Sequence, residues 1–248
     1  MKQSIASLCA ILGLLALIPT VFAQSDPQFA AANQEYASGH FKEAIDGYET
    51  LVRSGALSAN LFYDLGNAYF RNGDFGYSIL NYERALALEP HHPETQANLR
   101  IARDEARALE LQPGWPERYL RFATVNHFTI AAAIALWLAV FCFTGLIFAG
   151  RRSSGLITLS IFSLAIFGML AALIFRIDAG SRGRALAIVT GTGVEARVAT
   201  ADNANSVLAL PPGSEVKVLS QRGDWVYAAL PNNLRGWIPS KSAEQVRL

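Results

Sequence analysis

The side chains that could bind a partner in this sequence are amides, aromatic rings and one arginine at related spacings. Asn33 and Asn67 lie 34 residues apart, and aromatic residues flank each of them. An amide offers hydrogen-bond donors and an acceptor, and aromatic rings supply a large apolar contact area. Such a set is suited to binding a protein or an extended peptide.

Residues that could carry out catalysis do not form a recognisable set in this sequence. No cysteine or paired acid stands near His91 and His92 at the spacing of metal ligands. The sequence contains no serine elbow, phosphate loop or helical His-Glu pair. The pair Gly191 and Gly193 lacks the third glycine and the following helix of a dinucleotide site. We therefore expect no enzyme activity, no metal site and no cofactor.

The N-terminus has the pattern of a secretory signal peptide at residues 1–23. Lys2 precedes an apolar core that ends at Pro19, and Ala23 is a small residue suited to cleavage. An uncleaved membrane anchor is the alternative, and either segment would export the chain from residue 24 onward. The two cysteines, Cys9 and Cys142, lie in apolar segments, so we expect no disulfide in the exported parts.

Two apolar runs without charged residues, 128–149 and 156–175, divide the chain. A run of roughly 20 residues spans about 30 Å as a helix, which is enough to cross a bilayer. The six residues between the runs predict a tight transmembrane hairpin, so the flanking parts of the chain lie on one side of the membrane. Trp137, in the middle of the first run, is expected to pack on a neighbouring helix.

The charges are compatible with two exported domains. Arg151 and Arg152 favour a cytoplasmic hairpin loop, although more arginines flank the outer ends of the hairpin. The leader outweighs this count and predicts a multi-pass membrane protein with both soluble domains on the exported side. Residues 24–118 carry 14 acidic and 8 basic residues, and residues 176–248 carry 6 and 9, so neither imbalance indicates nucleic-acid binding.

The exported segment before the hairpin, residues 24–120, repeats with a period of 34. Gly39 recurs as Gly73, and Tyr48 recurs as Tyr82. This period, with helix–turn–helix patterning, resembles the tetratricopeptide repeat. The resemblance implies an all-α solenoid with repeats at 25–58 and 59–92 and a capping helix at 94–111.

The resemblance also implies a concave face lined by the first helix of each repeat. The candidate binding residues on that face are Phe29, Asn33, Tyr36, Tyr63, Asn67, Phe70 and Arg71. Phe29 and Tyr63 stand where a repeat that grips a peptide carboxylate would carry a lysine. Carboxylate capture is therefore disfavoured, and an aromatic surface for a protein partner is favoured. The remaining alternative is that these aromatic residues only pack internally.

Residues 185–248 have the pattern of a small all-β domain, because six short strand-like runs alternate with turns rich in Gly, Pro, Asn and Asp. The motifs PGSEV at 212–216, GDWV at 223–226 and GWIP at 236–239 together resemble the bacterial SH3-like domain. The resemblance implies a small barrel whose core contains Trp225 and Trp237. The alternative is that Tyr227 and Trp237 border a groove for a peptide or a cell-wall fragment.

The complete order is leader, tetratricopeptide solenoid, transmembrane hairpin and SH3-like barrel, which resembles the BatE-type proteins of bacterial aerotolerance operons. The resemblance implies a non-enzymatic, multidomain scaffold or adaptor in aerotolerance or the envelope stress response. It also implies a multi-pass protein of the bacterial inner membrane with both soluble domains in the periplasm. Its implied partners are membrane-anchored von Willebrand A-type proteins of the same operon. Two alternatives stay open, namely a cell-wall sensor that binds peptidoglycan and an assembly factor for an exported enzyme.

Overall fold

The computed structural model describes residues 27–113, 125–148, 153–178 and 183–247. The predicted leader at 1–23 lies outside the described residues, as do residues 150–152 of the predicted hairpin loop. The described chain forms three parts. A set of short helices comes first, then two long apolar helices, then an antiparallel sheet.

Five amphipathic helices make up the first part, and their ends follow from local sequence. The hydroxyl of Ser58 accepts a hydrogen bond from the backbone of Leu61 at 3.1 Å and so begins the third helix. Gly73 ends that helix in the left-handed region, with φ at +87°, where a glycine has no steric penalty. The helices are α1 (Pro27–Ala37), α2 (Phe41–Arg53), α3 (Ala59–Asn72), α4 (Phe75–Leu88) and α5 (Pro93–Ala106).

Helices α1 to α4 form two helix pairs with a common packing pattern. Gly66 on α3 allows close approach of the second helix of its pair, because a Cβ atom there would lie 2.7 Å from the ring of Tyr82. Tyr48 and Tyr82, 34 residues apart, are both buried. The buried apolar residues of the first pair continue into α3 and form one core: Ala32, Ala44, Ile45, Tyr48, Leu51, Leu61, Leu65, Ala68 and Tyr69.

Helix α5 is shorter than the sequence predicts. The capping helix was expected over 94–111, but α5 ends at Ala106, and Arg107 follows with φ at +52°. The next residues run along the sheet instead, where the carbonyl of Leu109 accepts the backbone N–H of Glu215 at 2.8 Å. Leu99 and Ala102 lie on the apolar face of α5 and are buried.

Two long apolar helices, α6 (Val125–Phe148) and α7 (Ser154–Asp178), are long and apolar enough to cross a membrane. They pack against each other, and the buried residues of α6 are all small: Ala132, Ala135, Ala139 and Cys142. The hydroxyl of Ser160 donates to the carbonyl of Ala139 at 3.4 Å across this contact. A Cβ atom added to Gly168 on α7 would have no neighbouring atom within 4 Å.

The last part is an open antiparallel sheet of seven strands in the order β3-β2-β6-β5-β4-β1-β7. The six strand-like runs of the sequence correspond to β1–β6, and a short seventh strand was not predicted. Its core is formed by Ala187, Val189, Val194, Ala196, Leu210, Val216, Ala228, Leu230 and Ile238. The strands are β1 (Leu186–Val189), β2 (Val194–Arg197), β3 (Ser206–Leu210), β4 (Glu215–Arg222), β5 (Trp225–Ala229), β6 (Arg235–Pro239) and β7 (Ala243–Gln245).

The helices and the sheet pack against each other along a surface that we call the seam. Apolar residues of α4 and α5 share one buried core with Leu186, Ile188 and Val246 of the sheet. Gly213, with φ at +83°, leaves room for Ile79, because a Cβ atom there would lie 2.2 Å from the Ile79 side chain. The sheet thus covers the end of the helical stack, where the second helix of a third repeat would otherwise pack.

Candidate functional site: a protein-interaction groove

Four of the predicted binding residues surround one small cavity on the face lined by α1, α3 and α5. Tyr36 comes from α1, and Asn67, Phe70 and Arg71 come from α3. The cavity has a volume of about 170 Å³ and its remaining lining residues are Tyr82, Asn98 and Ile101. We call this set of seven residues the concave groove. Sequence reasoning missed Asn98 and Ile101 because it treated α5 as a cap rather than as a wall of the groove.

The amide oxygens of Asn33 and Asn67 are used inside the protein. The Tyr48 hydroxyl donates to Asn33 Oδ1 at 2.6 Å, and the Tyr82 hydroxyl donates to Asn67 Oδ1 at 2.7 Å. Asn98 Nδ2 donates to the same Asn67 oxygen at 2.9 Å. Each asparagine therefore keeps its NH₂ group as the part that can bind a ligand, and this group is a hydrogen-bond donor.

Phe29 and Tyr63 are not part of the concave groove. The Phe29 ring packs on Tyr48, with ring centroids 5.9 Å apart. The Tyr63 ring lies between Tyr82 and His92, at 6.2 Å and 5.1 Å. These two aromatic residues thus make internal packing contacts.

The electrostatics of the groove favour a ligand that accepts hydrogen bonds. The Arg71 guanidinium lies 4.9 Å from the centre of the Phe41 ring and, within the described residues, forms no ion pair. Burial raises the pKa of both Tyr48 and Tyr82, so these phenols stay neutral donors. Burial also raises the pKa of Asp64 on α3 to about 6.

Tyr227 and Trp237 form a cross-strand pair on the sheet. They are directly opposite in the β5–β6 register, and their ring centroids are 5.0 Å apart. Both rings and that of Trp225 are partly exposed and lie outside the buried core of the sheet. The expectation that Trp225 and Trp237 fill the core is therefore wrong. Trp237 alternates along β6 with the inward-facing Gly236 and Ile238.

Charged side chains join the two sides of the seam. Arg103 of α5 bonds to the fully buried carboxylate of Glu215 and also to Glu83 at 2.5 Å. The second oxygen of Glu215 accepts the backbone N–H of Leu111 at 3.0 Å. On α4, Arg84 donates to Glu244 and to the carbonyl of Gln245, both at 3.2 Å. These partners are far apart in sequence, so the sequence does not indicate the pairing. The one available sign was Glu215, because an acidic residue at an inward strand position needs a buried partner.

Within the described ranges, no three His, Cys, Asp or Glu side chains converge as metal ligands would. His92 instead begins α5, where its Nδ1 accepts the backbone N–H of Thr95 at 3.2 Å. His40 pairs with Glu35 at 2.8 Å on the surface. Of the four histidines, His92 therefore has a structural role and His40 belongs to a surface pair.

The second helix pair, with its close contact between Gly66 and Tyr82, has the form of a tetratricopeptide repeat, a unit of protein-interaction modules. Residues 59–92 match the family model described as "Tetratricopeptide repeat". The chain is also similar to "Cellulose synthase operon protein C" of Escherichia coli strain K12 and to "Putative cellulose synthase operon protein C" of Escherichia coli O157:H7. Each similarity is 37% identity over 70 residues, which cover 27% of this chain and 6% of the relative.

Proposed function

We propose that this protein is a non-enzymatic adaptor of the bacterial inner membrane. In this proposal, α6 and α7 anchor it as a multi-pass protein, and the solenoid and the sheet domain stand together in the periplasm. The repeat region supplies the binding surface for a protein partner, because such repeats are protein-interaction modules. The sheet domain is proposed to be SH3-like, on the strength of its three sequence motifs and its short antiparallel strands.

The seam is the observation that carries the proposal. Residues before and after the apolar helices share a buried core and the Arg103–Glu215 ion pair. Two parts of a chain that pack in this way must lie on the same side of any membrane that the intervening helices cross. An even number of crossings satisfies this requirement, and the exported leader predicts that the shared side is the periplasm.

Reporter insertions test this arrangement. A reporter that is active only in the periplasm, placed after Glu110 or Gln245, is expected to be active, whereas the same reporter after Ser153 is expected to be inactive. Different activities at the two outer positions would contradict the proposal. Extraction of the full chain from membranes by alkaline carbonate would contradict the membrane anchor itself.

The chemistry of the concave groove suggests the kind of partner it binds. The polar groups of the residues that line it include the Asn67 NH₂, the Arg71 guanidinium and the Tyr36 hydroxyl, and Phe70 and Ile101 form apolar walls. Such a groove suits an extended protein segment that offers carbonyl oxygens and an acidic side chain. The module order that resembles BatE-type proteins supports a von Willebrand A-type membrane protein as that partner, in aerotolerance or envelope stress.

A pair of charge-reversed variants tests the groove. Photo-crosslinking from residue 70 in intact cells should give a protein adduct, and Arg71→Glu should lower its yield by about tenfold, since losing and reversing a charge-assisted hydrogen bond costs more than 1.4 kcal/mol. Arg53→Glu, an exposed arginine on α2, is the control and should leave the yield unchanged. Equal yields from both variants would contradict the groove as the binding site.

The aerotolerance role predicts that only the control restores growth of a deletion strain in oxygen.

The exposed aromatic pair on the sheet favours one alternative, a sensor that binds peptidoglycan. Aromatic rings such as Tyr227 and Trp237 can stack on sugar rings, and they lie partly exposed rather than in the core. The full chain in detergent should then bind purified cell wall, and Trp237→Ala should lose this binding. If neither the natural protein nor Trp237→Ala is retained on cell wall, the sensor hypothesis is excluded and the adaptor hypothesis stands.

A further inference from the structure

Trp137 occupies an unusual place on the proposed membrane anchor. It lies at the midpoint of α6, and 61% of its surface is exposed on the outside of the helix pair. Its ring contacts Phe141, one turn further along the same helix, with centroids 5.9 Å apart. The indole does not pack on α7, although the sequence led us to expect that it packs on a neighbouring helix. It faces away from the pair.

The indole N–H is a donor with nothing to bond to at the centre of a bilayer. Tryptophan in membrane proteins is concentrated at the two interfaces, where the N–H can reach water or headgroups. A polar group left without a partner in hydrocarbon is unfavourable. Trp137 forms no hydrogen bond to any described residue. An acceptor from outside the chain would remove this cost.

The polar side chains of the two apolar helices do not supply that acceptor. Ser163 is buried between the helices, and Ser160 bonds to the carbonyl of Ala139. Thr144 bonds to the carbonyl of Val140 within its own helix. The residues around Trp137 on its exposed face are instead apolar and exposed: Ile130, Ile134 and Phe141.

A second copy of this chain is also a poor source of the acceptor. Two copies inserted in the same orientation and in contact through α6 bring identical depths together, so Trp137 would meet the apolar residues that surround it in its own chain. The Ser160 hydroxyl, at a similar depth on α7, is directed at Ala139 of its own copy. The nearest hydroxyls along α6 are those of Thr144 and Thr129, 7 and 8 positions away. At 1.5 Å per residue these hydroxyls lie about 10–12 Å from the Trp137 level.

We propose that the Trp137 face of α6 binds a transmembrane helix of a different protein, and that this helix carries a polar hydrogen-bond acceptor near the bilayer centre. Ser, Thr, Asn, Gln or a carboxyl side chain would serve, and such groups join helices within membranes. The inference rests on the proposed membrane anchor. It adds a second contact surface, inside the membrane, to the groove outside it.

Site-specific crosslinking in living cells tests the inference on the full chain. A photoreactive residue in place of Phe141 should form an adduct whose mapped peptide belongs to a transmembrane segment of another protein. That segment should have a polar residue within about one helical turn of the crosslinked position. Trp137→Phe keeps a ring but removes the donor, and should lower the adduct yield by about three- to fifteen-fold.

Two controls separate the hydrogen bond from general effects. Phe143, also exposed but on another side of α6, is changed in Phe143→Leu, which should leave the adduct yield unchanged. A photoreactive residue at position 161 of α7 should not give the same adduct. Adducts only with lipid or with a second copy, or an equal yield from Trp137→Phe, would overturn this inference alone. Release of the chain by carbonate would overturn the membrane anchor as well.

Discussion

Removing the positive charge of Arg103 should destabilise the packing of the solenoid on the sheet. The side chain is 10% exposed and bonds to Glu215, which is fully buried, and to Glu83, which is 12% exposed. Arg103→Met keeps most of the side-chain length but deprives both carboxylates of the cation they share. Loss of one partner from a buried ion pair costs about 3–5 kcal/mol, because a charge is left in a site of low polarity.

A loss of this size is large against the total stability of about 5–15 kcal/mol that is typical of a domain. For a folded body of roughly 150 residues, each kcal/mol lowers Tm by about 2–4 °C. We therefore expect Tm to fall by about 6–20 °C. The measurement is thermal unfolding of the full chain in lipid nanodiscs, followed by intrinsic tyrosine and tryptophan fluorescence.

Two further variants make the result specific to the seam. Arg53→Met breaks an exposed pair with Glu49 and should change stability by less than about 1 kcal/mol. The double variant Arg103→Met with Glu215→Met removes both charges. Its loss of unfolding free energy should be smaller than the sum of the losses in the two single variants. The reasoning fails if Arg103→Met is no more destabilising than Arg53→Met, or if the losses in the double variant simply add.

Two other predictions concern the seam and one buried acid. Gly213→Ala should lower Tm more than Gly193→Ala, since both have positive φ but only at position 213 would the new Cβ meet Ile79; equal losses would contradict this. Burial raises the pKa of Asp64 from 3.8 to about 6, so its contribution to stability, present below about pH 4, is lost as pH rises through about 6. Tm of Asp64→Asn relative to the natural protein should therefore increase between about pH 4 and pH 8, and a constant difference would refute it.

The sequence was informative where a local pattern repeats. The 34-residue period places Asn33 and Asn67 at equivalent positions, and the structure gives both the same hydrogen bond from a tyrosine 15 residues later. Because Tyr48 and Tyr82 obey the same period, this bond could have been inferred from the spacing. That bond occupies the amide oxygen inside the protein. It would therefore have indicated that each asparagine presents a hydrogen-bond donor to the groove.

The sequence was misleading where a segment forms its hydrogen bonds with residues that are distant in sequence. The pattern over 94–111 is amphipathic enough for one helix, but Leu109 and Leu111 bond to Ser214 and Glu215 instead of continuing it. Strand β7 has only three residues and forms because β1 offers it an edge. Propensity over so few residues is a weak guide, since the pairing partner supplies the stabilisation.

By itself, the sequence determined the kinds of element in this protein: paired amphipathic helices with a 34-residue period, two apolar helices and a run of short strands. These follow from spacing along the chain, because helix and strand periodicity act over a few residues. The tertiary structure alone decided that the helices and the sheet share a core, through contacts such as Arg103 with Glu215 across 112 positions. Such contacts depend on shape and burial in three dimensions, which no local pattern specifies.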